Sequence, residues 1–443
     1  MRITSEPVGQ VIPLSTAARH RLYQVERMPR PLHLEHCVNV TIESANPISA
    51  GAAQRALCDV IAAHPALRST VDTAGFSTAE HPAAIDIPVS HASSKQAAYE
   101  RARVSNVGLI PPDSPVRLRA EIVEFDGSAI LVIAVDPLVC DAWSANIIAA
   151  EVMSALAGDS ATRSAPDEWS ASLAHRVEWL ESDEGAVARA SVAARAEGAD
   201  RRWWRGDEFR LGATDTSADA RLDLDDDDAR ALLDECRRRR VSIFHVGIAA
   251  MALLDPEPRP RLLTSTFAAR STEDEFGAVG HFATDVPIIV TPHEGSFWDL
   301  VRGIRSEAYA ALEAQWIDVA DLPPADPSDT AGASVSLLFL PSTLTGAGGE
   351  SEDGVLTRGV VDICPSGADV DLFIIERPPA DGEGASPVIR LCALVSGGDL
   401  DAFEIVDRWG AALRVAARGD WDAIPAREPE ALRIDPIDAG KDA

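Results

Sequence analysis

The segment 116–122 alternates apolar and polar residues, which is typical of a strand with one buried face. Its polar positions are therefore expected on the solvent side: Arg117, Arg119 and Glu121. The dipeptide Asp126-Gly127 then indicates a tight hairpin turn. The next run, 129–135, is apolar at every position, so this second strand is expected at the centre of a sheet.

Similar patterns predict further elements along the chain. Helical stretches, several with a capping residue, are expected at 15–28, 49–64, 144–156, 167–204, 225–240, 242–254 and 400–417. Strand-like runs lie at 36–42, 262–268, 285–291, 333–340, 370–376 and 387–395. The order and type of these elements predict two α/β lobes, each a mixed sheet covered by helices.

A chain of 443 residues exceeds what one hydrophobic core usually supports, which favours two domains. Small and polar residues around Pro166 indicate a linker. We expect an N-terminal lobe at 1–165, linking helices at 166–205, a C-terminal lobe at 206–425 and a disordered tail at 426–443.

Composition excludes several classes of function. A net charge of −30 argues against nucleic acid as a partner, because phosphates need a basic surface. The six cysteines form no CxxC pair and are expected to be buried thiols. His33 and His36 would point to opposite faces of a strand, so no metal site is expected. Neither a membrane span nor a signal peptide is visible, and we expect a cytoplasmic protein.

The segment that follows the apolar strand carries the most specific motif. Asp136, Asp141 and Ser144 have the spacing DxxxxDxxS, and Trp143 precedes the serine. This segment resembles the condensation and heterocyclization domains of nonribosomal peptide synthetases. Condensation domains carry HHxxxDG followed by Trp-Ser at this point, whereas heterocyclization domains carry DxxxxDxxS.

Six further stretches resemble the same family in the same order. They are Pro13-Leu14-Ser15, His64-Pro65-Ala66-Leu67-Arg68, Trp203-Trp204, Ser242-Ile243-Phe244, Phe267-Ala268-Ala269-Arg270 with Gly280-His281-Phe282, and Val370-Asp371-Leu372. The resemblance covers about residues 10–420 and implies a chloramphenicol-acetyltransferase-like fold with an active-site tunnel between two lobes. It also implies a peptidyl or acyl carrier protein as a partner in trans, with the substrate on its phosphopantetheine arm and no cofactor bound directly. A free-standing monomer that contacts neither membrane nor nucleic acid is expected.

The resemblance also shows what this chain lacks. Pro137 stands where the second histidine of HHxxxDG assists amine attack, and proline can neither accept nor donate a proton. The first histidine is replaced by Asp136. The family pattern pairs Asp141 with Arg270, so we predict a buried ion pair between them, with Trp143 and Ser144 as structural members of the motif.

Three residues are candidates for proton transfer. Asp136 is either a second structural carboxylate or a desolvated general base facing the tunnel. Asp371 matches an aspartate of heterocyclization domains, although condensation domains also place one there. His281 is either catalytic or a hydrogen-bonded structural histidine. The expected tunnel residues are Cys140, Leu340, which stands in place of the heterocyclization threonine, and Ser342.

Two functions fit these observations. The first is an enzyme that condenses or cyclizes carrier-bound acyl or aminoacyl thioesters without the motif histidine, through Asp136, Asp371 or His281. The second is a catalytically inactive module that binds a carrier protein or recruits a tailoring enzyme, which the loss of both the histidine and the threonine favours. The DxxxxDxxS match favours the enzyme.

Overall fold

The structure is a computed structural model that describes most of the chain between residues 11 and 418. The described ranges are 11–16, 18–20, 22, 37–80, 85–105, 110–158, 168–204, 217–255, 257–293, 295–323, 332–345, 356–358, 368–377, 388–396 and 400–418. The predicted tail, His33 and His36 lie outside them, and the first predicted helix is described only at 16, 18–20 and 22.

The described part of the chain contains both strands and helices. The strands are β1 Val38–Ser44, β2 Ser69–Asp72, β3 Gly75–Thr78, β4 Val89–His91, β5 Leu118–Phe125, β6 Ser128–Val135, β7 Ser217–Asp223, β8 Arg261–Phe267, β9 Thr284–Val290, β10 Val335–Leu340, β11 Leu356–Arg358, β12 Val370–Arg377 and β13 Val388–Ser396. The α-helices are α1 Ala50–Ala63, α2 Lys95–Ser105, α3 Ala142–Ala157, α4 Glu168–Glu181, α5 Asp183–Ala196, α6 Asp226–Arg239, α7 Ile243–Ala252, α8 Glu273–Gly277, α9 Phe297–Glu313, α10 Ser342–Thr345 and α11 Ala402–Ala417.

The first lobe is built on a five-stranded mixed sheet with the order β11-β1-β6-β5-β4. Strand β6 lies in its centre, as its apolar sequence predicts, and is antiparallel to both β1 and β5. The β5–β6 turn has positive φ at Asp126 (45°) and Gly127 (82°), the conformation that a two-residue hairpin requires. Helices α1 and α3 share the core of one face, and α2 covers part of the other.

The predicted solvent face of the 116–122 segment is wrong at two of its three polar positions. Arg117 is fully buried and Glu121 is 8% exposed, while Arg119 is exposed. The reason lies outside the segment. Arg117 pairs with Asp136 in the turn that follows β6. Glu121 accepts a hydrogen bond from Arg101 of α2, the helix that packs over this face.

The second lobe is built on a six-stranded sheet with the order β7-β13-β12-β10-β8-β9. Strands β8, β10 and β12 are parallel to one another, and the remaining pairs are antiparallel. Helices α6, α7, α9 and α11 bury their apolar sides against one face of this sheet. Both sheets are thus mixed and covered by helices, which confirms the predicted fold class.

Strand β11 connects the two lobes. It falls inside the 206–425 range that the sequence assigns to the second lobe, yet it pairs antiparallel with β1 of the first sheet, Leu356 opposite Ser44. A short strand with three residues carries too little pattern to show which sheet it completes.

The predicted single helix at 167–204 is two helices. Ser182 follows the last residue of α4 and caps α5, because its hydroxyl accepts the Gly185 amide at 3.2 Å. Gly185 allows the close turn, since a Cβ there would lie 2.2 Å from the Trp179 carbonyl oxygen. Beyond α5, Trp203 is not helical and forms an isolated β-bridge with Ala333 of the second lobe.

Helix α9 is not among the helices that the sequence predicts. Among the described helices, none is long and apolar enough to cross a membrane.

Candidate functional site

The first part of the site is the tight turn that leaves β6. The Val139 amide donates to the Asp136 carbonyl at 3.0 Å, which closes a four-residue turn with Pro137 at its second position. Proline suits this position because its ring restricts φ to the value that the turn needs. The Asp136 carboxylate supports the turn by accepting the Leu138 amide at 2.8 Å. The residue that stands in the second histidine's place thus has a role in shaping the loop.

A buried arginine holds the Asp136 side chain. Arg117 directly precedes β5, and its Nη2 atom donates to Asp136 Oδ2. Its Nη1 atom donates to the carbonyls of Pro111 at 2.7 Å and Pro112 at 3.2 Å. Both carboxylate oxygens of Asp136 are therefore engaged, since Oδ1 accepts the Leu138 amide. This arrangement supports the structural interpretation of Asp136, and a catalytic role for it stays a prediction.

Asp141 joins the two lobes. It caps α3 by accepting the Ser144 amide at 2.8 Å, and both of its oxygens accept from Arg270 Nη2, at 2.9 and 3.1 Å. The Phe282 amide donates to Oδ2 at 3.0 Å. The predicted ion pair with Arg270 is thus present and buried. Burial opposes ionisation of Asp141, but Arg270 and then His281 outweigh it, so its pKa lies below its ordinary value.

Ser144, the third residue of the motif, also crosses the lobe junction. Its Oγ donates to the Gly280 carbonyl at 2.7 Å and accepts from the Gly280 amide at 3.0 Å and from Arg270 Nη2 at 2.8 Å. A Cβ at Gly280 would lie 2.1 Å from Cδ1 of Trp169 on α4, so the close approach requires glycine. The spacing DxxS therefore places two polar side chains on one helix end that both reach the second lobe.

Phe282 lies between two guanidinium groups. The Arg270 group is 4.2 Å from its ring centroid and the Arg176 group is 5.1 Å away. Arg176 on α4 also donates to the Phe282 carbonyl at 2.9 Å and to Glu275 Oε1 at 3.2 Å. Neither Arg176 nor Glu275 is among the site residues that the sequence predicts. For Glu275 a signal was present, because Thr272 and Glu275 have the spacing of a capping box and form one at α8.

Trp143 and Cys140 flank these contacts. The Trp143 indole donates to the Phe276 carbonyl at 2.9 Å and packs edge-on against the Phe276 ring. Cys140 is buried, and its thiol contacts the Asp141 carbonyl oxygen at 3.3 Å. Burial and then the Asp141 carboxylate raise the pKa of Cys140 well above its ordinary value, so it is a neutral thiol. Such a thiol can line a site but is a poor nucleophile.

His281 is placed at the same junction, between Gly280 and Phe282. It borders a cavity of about 10 Å³ whose other walls include Arg176, Thr284 and Trp316. Such a volume holds about one water molecule. The structure thus brings His281 next to the Asp141–Arg270 pair, and its catalytic role stays a prediction.

The remaining candidates lie in the second lobe. Asp371 is 1% exposed in β12, opposite Ser336 of β10 and Leu394 of β13. Leu340 ends β10 and is buried. Ser342 begins α10, and its amide donates to Glu376 Oε2 at 3.2 Å. Asp371 and Leu340 thus belong to the second sheet and Ser342 to the helix after β10, whereas Asp136 and Asp141 belong to the first lobe.

Two sequence expectations concern metals and disulfides. In the part of the chain that the structure describes, no group of three or more His, Cys, Asp or Glu side chains could hold a metal ion. The cysteines of that part are free thiols, three of them buried and Cys58 and Cys392 half-buried, while Cys364 lies outside it.

Comparison with solved structures identifies the class of fold. The X-domain from teicoplanin biosynthesis superposes with a TM-score of 0.75 at 16% identity, over 95% of this chain and 97% of that domain. The first condensation domain of the calcium-dependent antibiotic synthetase gives 0.73 at 15% identity, over 94% and 98%. The SgcC5 protein from Streptomyces globisporus gives 0.71 at 19% identity, over 93% and 99%. The chain therefore has the chloramphenicol-acetyltransferase-like fold of condensation domains and X-domains.

Comparison with known sequences finds similarity over a smaller part of the chain. No family model matches the chain. CymA of Salinispora arenicola (strain CNS-205), a probable nonribosomal peptide synthetase, is 29% identical over 167 residues, which are 36% of this chain and 2% of CymA. The chain thus corresponds to a very small part of that relative.

Proposed function

We propose that this chain is a condensation-fold module of nonribosomal peptide or hybrid natural-product biosynthesis that binds a partner protein and has lost histidine-dependent condensation. The observation that carries the proposal is the state of the β6–α3 loop. Pro137 replaces the base and shapes a turn, Asp136 is paired with Arg117, and Asp141 is paired with Arg270. Cys140 is a neutral buried thiol.

Each ionisable group of this loop therefore has a structural contact. General-base catalysis requires a side chain that can reach the reacting proton and accept it. A loop whose carboxylates are ion-paired across strands and lobes instead supports a rigid scaffold. The same contacts preserve the arrangement of the two lobes, which a binding module needs as much as an enzyme does.

The partner is expected to be a carrier protein or a tailoring enzyme. One structure with a TM-score of 0.76 to this chain shows the teicoplanin X-domain in a complex with OxyB, at 16% identity over 97% of this chain. That complex supports binding of a second protein by a domain of this fold. On this proposal the chain needs no cofactor of its own, and any thioester substrate is presented on the phosphopantetheine arm of a carrier protein in trans.

Restoring the histidine tests this proposal. The variant Pro137→His should produce no efficient amide formation, because the β6–α3 loop remains shaped by the Asp136–Arg117 pair. Wild type and variant are incubated with loaded donor and acceptor carrier proteins, and intact-protein mass spectrometry follows the product. Binding of each carrier protein and of each tailoring enzyme encoded with the chain is measured by biolayer interferometry, with micromolar affinity expected for one of them.

The two measurements separate the outcomes. Binding without product supports the binding module. Robust dipeptidyl product from Pro137→His alone would show that the loop is still competent for condensation. Product from wild type, or no binding to any carrier protein or tailoring enzyme, would contradict the proposal.

A second candidate function is catalysis without the motif histidine, which we propose on the strength of Asp371. A carboxylate with 1% exposure inside a central strand is costly to bury, and such residues are candidates for function as well as for structure. If the chain is an enzyme, Asp371→Asn should lower single-turnover product formation by about 10²-fold or more, as expected for loss of a general base. Ser336→Ala, the neighbour on β10, is the matched control. Full activity of a folded Asp371→Asn variant would exclude Asp371 as the base.

A further inference from the structure

Three arginines cluster on the face of the second sheet that is turned away from its helices. The helix-facing positions of β12 and β13 are the buried ones, among them Leu372 and Leu391. Side chains of the intervening residues point to the opposite face. Arg390 of β13 lies opposite Ile375 of β12 on one side and opposite Asp223 of β7 on the other. Arg377 lies two residues beyond Ile375 on β12. Arg221 is opposite Cys392 on the same side, and these three arginines are called the arginine cluster.

Cross-strand neighbours on one face have Cβ atoms about 5 Å apart, and diagonal neighbours lie about 7–8 Å apart. Arg390 is a diagonal neighbour of both Arg377 and Arg221, so its guanidinium group can share a small ligand with either, whereas Arg377 and Arg221 lie two strands apart. In a protein with a net charge of −30, such a concentration of positive charge needs a reason.

Two members of the arginine cluster have carboxylate partners. Arg390 binds Asp223 through Nε and Nη2, each at 2.6 Å. Arg221 is 3.3 Å from Asp219 on its own strand, and both of these side chains are more than half exposed. The nearby Cys392 thiol adds no negative charge, because burial raises its pKa more than the surrounding arginines lower it.

Arg377 differs from the other two members. Its Nε atom is buried without a hydrogen-bond acceptor, and none of the ion pairs among the described residues includes it. The groups that act on it electrostatically are Arg390, Asp223, Cys392 and Arg221. Burial and the charge of Arg390 both lower its pKa. A guanidinium in this position gains most from an added anion, which supplies charge-assisted and bidentate hydrogen bonds.

The surface beside the arginine cluster is apolar. Ile375 and Phe373 precede Arg377 on the same face of β12, and Leu338 of β10 is opposite Phe373. All three are only half-buried. A ligand whose anionic head lies on Arg377 would thus place an apolar body along β12.

We propose that Arg377, assisted by Arg390 and Arg221, binds the phosphate or carboxylate head of a small ligand that has an apolar body. The proposal does not depend on the binding module proposed above, since it concerns the face of the second sheet and not the β6–α3 loop. Phosphate-headed and carboxylate-headed ligands of this kind share one chemistry, namely an oxyanion next to an aromatic or aliphatic group.

Three probes test this site by isothermal titration calorimetry at low ionic strength. Inorganic phosphate carries the head alone, phenyl phosphate adds an apolar body, and benzoate tests a carboxylate head. We expect phenyl phosphate to bind more tightly than inorganic phosphate, and binding to weaken as NaCl is added. Arg377→Gln should weaken the binding of phenyl phosphate about tenfold or more.

The matched control is Arg302→Gln, an exposed arginine of α9 that pairs with Asp299 on its own helix. It should bind the probes as wild type does, and far-UV circular dichroism should show both variants folded. Equal affinities of Arg377→Gln and wild type, an equal loss in Arg302→Gln, or no binding of any probe would overturn the proposal. If Arg377→Gln does not fold, Arg390→Gln is used in its place with the same expected loss.

Discussion

Asp141→Asn should lower the free energy of unfolding by about 3–5 kcal/mol, because it leaves Arg270 buried without its anion. The asparagine still caps α3, since its side-chain oxygen can accept the Ser144 amide as the aspartate does at 2.8 Å. The loss therefore reports the ion pair between the lobes and not the helix cap. It is measured by urea denaturation at pH 7.

Asp401→Asn is the matched control for this change. Asp401 caps α11 by accepting the Phe403 amide at 2.9 Å, but it is exposed, and none of the ion pairs among the described residues includes it. Its replacement should change stability by less than about 0.5 kcal/mol. Comparable stability of Asp141→Asn and wild type would show that the pair between the lobes contributes little.

The same pair predicts a dependence on pH. The folded-state pKa of Asp141 is depressed below its ordinary value of 3.8, so ionised Asp141 stabilises the fold at and above that pH. This contribution is lost as pH falls below 3.8 through the folded-state pKa. The difference in unfolding free energy between wild type and Asp141→Asn should thus be constant from pH 7 to pH 5 and shrink in more acidic solution.

Arg117→Met should cost about 3–5 kcal/mol in unfolding free energy, for the converse reason that it leaves the Asp136 carboxylate buried without its cation. Methionine fills most of the same volume, so the effect is electrostatic more than steric. The double variant Arg117→Met/Asp136→Asn removes both charges and keeps an acceptor for the Leu138 amide. It should therefore be more stable than Arg117→Met alone.

The coupling free energy between Arg117 and Asp136 is best measured with a double-mutant cycle, which isolates the interaction of the two charges. Arg119→Met, two residues further along and exposed, is the control and should cost less than about 1 kcal/mol. Additive effects of the two single changes would mean that Arg117 and Asp136 do not stabilise each other. The interpretation of Asp136 as a structural carboxylate would then fail.

Local pattern was sufficient for the elements that carry strong periodicity. The apolar run at 129–135, with Asp126-Gly127 before it, is a central strand after a hairpin turn, because a strand without a polar face must be covered on both sides. The helix predicted at 144–156 is likewise present as α3, although it begins at Ala142 and Asp141 is its N-cap. The contact of Asp141 with Arg270 followed from a family resemblance, because the two residues are 129 positions apart.

Tertiary structure decided which polar residues are buried and what they contact. Arg117 and Arg119 have the same parity in the segment 116–122, yet only Arg117 contacts the Asp136 carboxylate in the turn after β6 and is buried. Arg176 carries no local signal, because its partners Phe282 and Glu275 come from a different lobe. Periodicity reports the environment of a segment on average, whereas the charge that compensates a buried arginine is supplied by distant parts of the chain. The sequence by itself thus determined the strongly patterned strands and helices and the missing histidine. Tertiary structure alone decided which charges pair with the carboxylates of the loop, Asp136 within the first lobe and Asp141 across the two lobes.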